Sequence, residues 1–332
     1  MPEYRKNPVT GRWVIISTER AQRPRQRALR DSSAHGASCP FCAGNEALTP
    51  PEVWAQRSDR NQADSPGWTV RVVPNKYPAL LADQTWNPTN DGLYESINGL
   101  GVHEVIIESP QHIVEMGTLS EAQFANILGV YRARILQLRG DSRWRYILIY
   151  KNQGMLAGAT LEHVHSQLIA LPTVPREAFA EVSGAKQYYE SMGHCIYCTM
   201  IERETRERKR IIADDEQIVV FCPFAPRFAY ETWILPKDHR ASFEHSSDRE
   251  ITALAHSLRE TLIRISRALD NPAFNYVVHS NPLDDIDSRH YHWHIEILPQ
   301  VNQAAGFEWG SGCFINPVAP EDAAGLLRQV AF

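Results

Sequence analysis

The chain has 332 residues, of which 43% are hydrophobic and 22% charged, and its formal net charge is −5. This length suits one large core or two packed domains, and the composition is that of an ordinary globular protein. No block of like charges suggests a nucleic-acid-binding surface, and no long apolar run suggests a membrane span. The amino end lacks the apolar stretch of a signal peptide, so we expect a cytoplasmic protein.

The first segment of the chain is basic and leads into a cysteine pair. Arg20 and Arg23 are candidates for phosphate contacts, because a guanidinium binds phosphate oxygens bidentately. A solvated basic arm explains residues 1–30 about equally well. The pair Cys39 and Cys42 follows in a Cys-x-x-Cys knuckle. In a reducing compartment such a pair indicates metal or redox chemistry more often than a disulfide.

Strand patterns then start at Trp68 and at Val102, and the second ends before a loop that contains His112. A helix is predicted to open at Ser120, with Gln123 as the second member of a capping box. Its apolar residues recur at helical spacing and indicate a core-facing helix rather than a cofactor site.

The central stretch of the sequence runs from residue 161 to residue 172 and follows a predicted buried strand. It places His163, His165 and Gln167 at alternate positions, which share one face of an extended strand. A neutral imidazole can attack phosphorus, and a glutamine amide can donate to a phosphoryl oxygen. The alternative is a half-buried strand with two structural histidines. The histidine stretch follows a loop of small residues, whose backbone could approach an anion closely: Gly154, Gly158, Ala159 and Thr160.

The pattern repeats in the second part of the chain, which has a second Cys-x-x-Cys pair and a second helix predicted to be capped by Ser247 and Glu250. Intervals of 127 residues support a duplication: His112 to His239, and Pro172 to Pro299. We therefore expect an α+β protein with two related halves, residues 1–175 and 176–332.

Each half offers four ligands for a structural zinc ion, which takes Cys and His in a closed tetrahedron. Those of the first half are Cys39, Cys42, His112 and His163. Those of the second half are Cys195, Cys198, His239 and one of His290, His292 and His294. The 127-residue offset carries His163 to His290 and favours that residue. An alternative site built from His279, His292, His294 and a carboxylate would suit iron or zinc.

The H-x-H-x-Q motif, the Gly-Ala-Thr loop before it and the paired Cys-x-x-Cys motifs resemble the galactose-1-phosphate uridylyltransferase family over nearly the whole chain. This family is a transferase branch of the histidine-triad superfamily. The resemblance implies two histidine-triad-like halves, each an antiparallel sheet with packed helices. It implies His165 as the nucleophile and Gln167 as the phosphoryl donor. Substrate contacts are implied for Arg20, Arg23, Asn75, Asn152, Gly158, Ala159 and Thr160. It also implies one zinc on Cys39, Cys42, His112 and His163, and a second metal on Cys195, Cys198, His239 and His292.

The implied chemistry is ping-pong. UDP-glucose would lose glucose 1-phosphate and leave a uridylyl group on His165, which galactose 1-phosphate would then take to form UDP-galactose. Gln167 stands where histidine-triad hydrolases carry a third histidine. A neutral amide cannot activate water, so we expect transfer rather than hydrolysis.

The carboxyl-terminal stretch departs from the best-known hexose transferases, because Phe314 stands where a sugar-binding glutamine is expected. This makes ADP-glucose phosphorylases, in which phosphate accepts the adenylyl group, an alternative. Phe307 and Glu308 are candidates for the hexose side. A zinc-stabilised nucleotide-binding protein without catalysis is a further alternative. The expected partners are a nucleoside-diphosphate hexose and a hexose 1-phosphate, and the resemblance implies a homodimer.

Overall fold

The computed structural model of the chain describes residues 2–22, 39–57, 62–285 and 288–331, which form a mixed α+β fold. The strands are β1 (Glu3–Lys6), β2 (Trp13–Ile16), β3 (Trp54–Arg57), β4 (Trp68–Pro74), β5 (Thr89–Asn90), β6 (Glu95–Ser96), β7 (Val102–Ile107), β8 (Tyr146–Gln153), β9 (His165–Leu171), β10 (Ile211–Asp214), β11 (Ile218–Phe221), β12 (Thr232–Pro236), β13 (Phe274–His279), β14 (His294–Pro299) and β15 (Phe314–Asn316). The helices are α1 (Glu121–Arg139), α2 (Arg176–Met192), α3 (Ile196–Glu207), α4 (Asp248–Ala268), α5 (Gly306–Ser311) and α6 (Pro320–Gln329).

Within the described ranges, ten strands form one continuous sheet in the order β10-β11-β12-β14-β13-β8-β9-β7-β4-β3. Every neighbouring pair in this sheet is antiparallel. The two halves of the chain meet where β8 pairs with β13. The predicted α+β fold class is confirmed, because each half contributes antiparallel strands with packed helices. The division into domains at residue 175 stays a prediction, since one sheet runs through both halves.

A smaller sheet joins the two ends of the chain. Strand β2 pairs antiparallel with β1 and parallel with β15, so the amino-terminal hairpin lies against the carboxyl-terminal segment. In the described parts of the chain, no helix is long and apolar enough to cross a membrane.

Helices α1 and α4 cover one face of the large sheet, and in the second half α3 packs on the other face. Along β9 the residues Ser166, Leu168 and Ala170 are buried, and Leu168 and Ala170 belong to the main apolar core. His165 and Gln167 alternate with them and lie on the opposite face. The predicted inner face of α1 is confirmed by the burial of Phe124, Ile127, Leu128, Tyr131 and Ile135. The alternation along this strand therefore places His165 and Gln167 on the face opposite the apolar core.

The predicted starts of both long helices are confirmed, with one difference. Ser247 and Glu250 form a complete capping box at α4. Ser120 caps α1 by accepting a bond from the backbone of Gln123. The side chain of Gln123 does not close a box, because it donates to the carbonyl of Glu108 instead, at 2.7 Å.

Candidate functional site

The histidine strand β9 lies between β7 and β8, with His165 opposite Ile107 and Gln167 opposite both Val105 and Tyr150. The predicted alternation is correct for His165 and Gln167. The predicted strand starts too early, because β9 begins at His165 and His163 precedes it. His163 instead turns its ring toward a cysteine pair.

The tautomer of His165 follows from its surroundings. Its Nδ1 lies 2.7 Å from the carbonyl oxygen of His163, and a carbonyl can only accept, so Nδ1 carries the proton. Nε2 then keeps its lone pair. Burial lowers the pKa of His165, and the ring is neutral near pH 7. An imidazole in this form is a competent nucleophile through Nε2.

A buried polar network supports the strand from the helix side. Lys151 donates to the carbonyl of His165 at 3.0 Å and forms an ion pair with Glu108. Tyr131 donates to Glu108 at 2.9 Å and lies 2.7 Å from the hydroxyl of Ser166. Because each of these buried groups has a partner, the network fixes the backbone of the strand that carries His165. Lys151 and Glu108 are not predicted from the sequence, where the signal for each is a charged residue at a position that the strand pattern buries.

Two carboxamides lie on the same side of the sheet as His165. The oxygen of Gln167 accepts from the hydroxyl of Tyr150 at 3.0 Å. The oxygen of Asn152 accepts from the amide nitrogen of Asn275 at 2.8 Å. Both oxygens are engaged, so the two amides are arranged as hydrogen-bond donors, as an anionic substrate requires.

The loop that follows β8 contains two glycines in the left-handed region, Gly154 at φ +82° and Gly158 at φ +87°. A Cβ on Gly154 would lie 2.8 Å from the side chain of Ala273, so this position also requires close approach. Ala159 donates from its backbone to the carbonyl of Gly154, and Thr160 is exposed. The predicted small-residue loop therefore stands beside Asn152 at the end of β8.

The first predicted ligand set comes together as a compact group. The ligand atoms of Cys39, Cys42, His112 and His163 all lie within 4.8 Å of one another. The separations from sulfur to Nδ1 are 3.5 Å for Cys39 and His163 and 3.5 Å for Cys42 and His112. In a tetrahedral zinc site a thiolate sulfur and an imidazole nitrogen lie about 3.5 Å apart. The group therefore has the size and chemistry of a metal site.

A backbone carbonyl orients the buried ligand of this group. The Nε2 of His163 lies 2.8 Å from the carbonyl oxygen of Ser109, so Nε2 carries the proton and Nδ1 faces the cysteines. Burial lowers the pKa of His163 to about 4. Its carbonyl oxygen accepts from Nδ1 of His165, so the backbone of His163 links the ring that faces the cysteines to the imidazole of His165.

The second group consists of Cys195, Cys198, His239 and His292, whose ligand atoms also lie within 4.8 Å of one another. Cys198 sulfur lies 3.4 Å from Nδ1 of His239 and 3.7 Å from Nδ1 of His292. The Nε2 of His292 lies 2.9 Å from the carbonyl oxygen of Pro236. This repeats the arrangement of His163 and its carbonyl.

His290 is not part of this group, so the offset that favoured it was wrong. It pairs with Asp285 at 3.1 Å. His163 and His292 are 129 residues apart, whereas His112 and His239 are 127 apart. The connection before the second histidine strand is two residues longer than its counterpart, and Pro172 and Pro299 do not mark equivalent positions.

A third group in the second half contains Glu181, His279, His294 and Glu296. It contains His279 and His294 of the alternative hard site, but His292 belongs to the cysteine group. Although burial opposes it, the carboxylates of Glu181 and Glu296 raise the pKa of His279 to about 10. Burial and the neighbouring His279 lower the pKa of His294 to about 4. With two carboxylates and two imidazoles, this group could also hold a metal ion.

His294 occupies the place in the second half that His165 occupies in the first. Its Nδ1 lies 3.2 Å from the carbonyl oxygen of His292. Its ring is fully buried, 4.9 Å from the Trp233 ring and 4.6 Å from the His279 ring. Glu296 follows two residues later and pairs with Arg227. At this position the imidazole of the second half is fully buried, whereas 8% of His165 is exposed, so the candidate nucleophile is the histidine of the first half.

The remaining predicted residues are dispersed. Arg20 is exposed on a short 3₁₀ turn, and Arg23 lies outside the described residues. Asn75 approaches Gln167, with 3.5 Å between its amide nitrogen and the glutamine oxygen. Phe307 and Glu308 lie on α5 beside β15, and Glu308 accepts from the backbone of its own helix start. Among the described residues, neither is hydrogen-bonded to the histidine strand.

Comparison of the sequence with known proteins identifies matching families and similar relatives. The family model of the galactose-1-phosphate uridyl transferase N-terminal domain matches residues 1–175, and a domain of unknown function matches residues 101–329. An ADP-glucose phosphorylase from Arabidopsis thaliana is 38% identical over 99% of this chain and 93% of its own length. A galactose-1-phosphate uridylyltransferase from Thermotoga maritima is 29% identical over 99% of this chain and 98% of its own length.

A solved structure is similar to this chain over its whole length. The crystal structure of an Arabidopsis thaliana ADP-glucose phosphorylase with bound ADP-glucose has a TM-score of 0.86, with 37% identity and full coverage of both chains. The doubled α+β fold and its relatives define a nucleotidyltransferase class of protein. Within it, the chain belongs to the galactose-1-phosphate uridyl transferase family.

Proposed function

We propose that this protein transfers a nucleoside monophosphate from a nucleoside-diphosphate hexose to a phosphate acceptor through a covalent intermediate on His165. The observation that carries the proposal is the 2.7 Å contact between Nδ1 of His165 and the carbonyl oxygen of His163, which assigns the proton to Nδ1 and leaves the lone pair of Nε2 to attack.

The two steps balance without an external acid or base. Nε2 of His165 attacks the α-phosphorus, and the bond from that phosphorus to the oxygen of hexose 1-phosphate breaks. The leaving group is a phosphate monoester, which departs as an anion and needs no proton. An oxygen of the acceptor then attacks the same phosphorus, the phosphorus–nitrogen bond breaks, and the imidazole is regenerated.

For the substrates, we favour ADP-glucose and inorganic phosphate over UDP-glucose and galactose 1-phosphate. The 38% identity to the Arabidopsis ADP-glucose phosphorylase, against 29% to the Thermotoga uridylyltransferase, supports this order. It reverses the order that the sequence motifs favour. The uridylyl pathway stays the second candidate, because both relatives match nearly the whole chain.

The two Cys₂His₂ groups suit zinc as a structural ion. Bound there, zinc would supply no chemistry to the phosphorus. It would hold the loop of Cys39 and Cys42 against His163, and His163 holds His165 through its carbonyl.

Intact-mass measurement after brief incubation with ADP-glucose or UDP-glucose tests the function. We expect a gain of one adenylyl group with ADP-glucose, absent in His165→Asn and discharged by inorganic phosphate as ADP. A gain of a uridylyl group alone, discharged by galactose 1-phosphate, would select the second candidate. Binding of both nucleotides without any mass gain would leave a nucleotide-binding protein and contradict catalysis.

A further inference from the structure

Three side chains direct a nitrogen or a hydroxyl group toward the side-chain oxygen of Gln167. His103 Nε2 is 2.7 Å from it, the Tyr150 hydroxyl is 3.0 Å from it, and the amide nitrogen of Asn75 is 3.5 Å from it. Burial raises the pKa of Tyr150, so its hydroxyl keeps its proton. An oxygen in this setting can only accept.

The backbone fixes the tautomer of His103. The Ala79 amide donates to His103 Nδ1 at 3.1 Å, so Nδ1 carries no proton in the neutral ring. The proton is therefore on Nε2, which donates to Gln167. The amide nitrogen of Asn75 lies 3.1 Å from His103 Nε2, and it is a donor because the Asn75 oxygen accepts from the backbone of Tyr77 at 2.9 Å. A neutral imidazole carries one proton, and Ala79 already donates to Nδ1, so the proton stays on Nε2 and the contact with Asn75 is not a hydrogen bond.

The same contacts fix the orientation of the Gln167 amide. If the amide turned over, its NH₂ group would face the hydrogens of His103 and Tyr150, and two half-buried donors would lose their acceptor. Each such loss leaves a partly buried donor without an acceptor, which is unfavourable. Among the hydrogen bonds of the described residues, none engages Gln167 Nε2. That NH₂ group is left for a ligand on the face that carries His165.

We propose that His103 is a positioning residue for the transfer reaction, holding the Gln167 amide with its NH₂ group toward the phosphoryl oxygens. It touches no reacting atom and acts through Gln167. This inference rests on the proposed function and adds a residue to it. The competing interpretation is that His103 only attaches the chain near Ala79 to strand β7.

The tautomer can be tested without turnover. In a ¹⁵N–¹H long-range correlation spectrum of histidine-labelled protein, with His103 assigned by its loss in His103→Gln, we expect a protonated Nε2 and a bare Nδ1. A protonated Nδ1 would overturn the proposal whether or not the protein is a transferase. If the wild-type protein accepts no nucleotide, the proposed function fails while this measurement still decides the state of His103.

A double-mutant cycle tests the route through Gln167. The quantity is the single-turnover rate of nucleotide transfer to His165. We expect Gln167→Ala to slow it by about a hundredfold or more, as for loss of one preorganised donor to a developing anion. We expect His103→Ala to slow it by about tenfold, because Tyr150 and Asn75 still hold the oxygen. His103→Gln keeps a donor NH₂ and should recover part of the rate.

The decisive comparison is His103→Ala in the Gln167→Ala background, where we expect no further loss. A full additional tenfold loss there would show that His103 does not act through Gln167. His256→Ala, which removes a half-exposed imidazole on α4 paired with Glu121, is the control and should leave the rate unchanged. Melting temperatures of all variants identify any loss that comes from folding, and a rate loss that follows the melting temperature alone would favour the competing interpretation.

Discussion

Two histidines that stand two positions apart, His290 and His292, have different partners, and this difference is testable. His292 joins Cys195, Cys198 and His239, whereas His290 pairs with Asp285. We expect His292→Ala to lower the zinc content of the purified protein by one ion per chain and to lower its melting temperature, since metal binding contributes to folding.

His290→Ala is the matched control, because it removes the same group from a neighbouring buried position. Elemental analysis of both variants should show full zinc only for His290→Ala. Loss of the ion from His290→Ala with retention in His292→Ala would return the ligand to the position that the 127-residue offset favours.

At the scale of elements, local sequence signals predicted most of the fold. The caps at Ser120 and Ser247 and the helical spacing of apolar residues located α1 and α4, because these signals depend on neighbours a few positions apart. The two cysteine pairs were predicted for the same reason, whereas the last histidine of the second group stayed open on the spacing and His292 was implied by the family resemblance. A Cys-x-x-Cys pair is local, and only the partner histidines come from distant elements.

Register and partners across the sheet could not be predicted. The two extra residues before β14 shift the second histidine strand, and a periodic pattern does not reveal an insertion in a connecting loop. His103 on β7 and Tyr150 on β8 contact Gln167, and Asn275 on β13 contacts Asn152. Their roles depend on which strands are neighbours. A single sequence carries no local signal for such pairings.

The pairing of β8 with β13 gives the second half a role in the site. Asn275 on β13 donates to the oxygen of Asn152 and to the carbonyl of Ala157, both at 2.8 Å, and accepts from Gln300 at 2.7 Å. We expect Asn275→Ala to release Asn152 and the loop beside it, raising the apparent Kd for the nucleotide sugar about tenfold, a typical cost for losing a supporting hydrogen bond.

Gln300→Ala provides the comparison for Asn275→Ala, because it removes only the partner that orients Asn275 and should have a smaller effect. Equilibrium binding to His165→Asn protein carrying each change measures affinity without turnover. Equal affinities in His165→Asn, in His165→Asn with Asn275→Ala and in His165→Asn with Gln300→Ala would mean that the second half does not organise the loop after β8.

For the whole molecule, the distribution of exposed apolar side chains favours the homodimer that the family resemblance implies. Residues 77–97 carry Tyr77, Leu93 and Tyr94 with exposed fractions of 83%, 76% and 73%. Such a concentration of apolar surface on one segment is typical of an interface.

We expect multi-angle light scattering to give a dimer mass for the wild-type protein. Leu93→Asp together with Tyr94→Asp should give a monomer, because the new charges would be buried without partners. Met192→Asp, an equally drastic change at an exposed position at the end of α2, should leave the dimer intact. A monomeric wild-type protein, or a dimer that survives the double change, would place the association surface elsewhere or remove it.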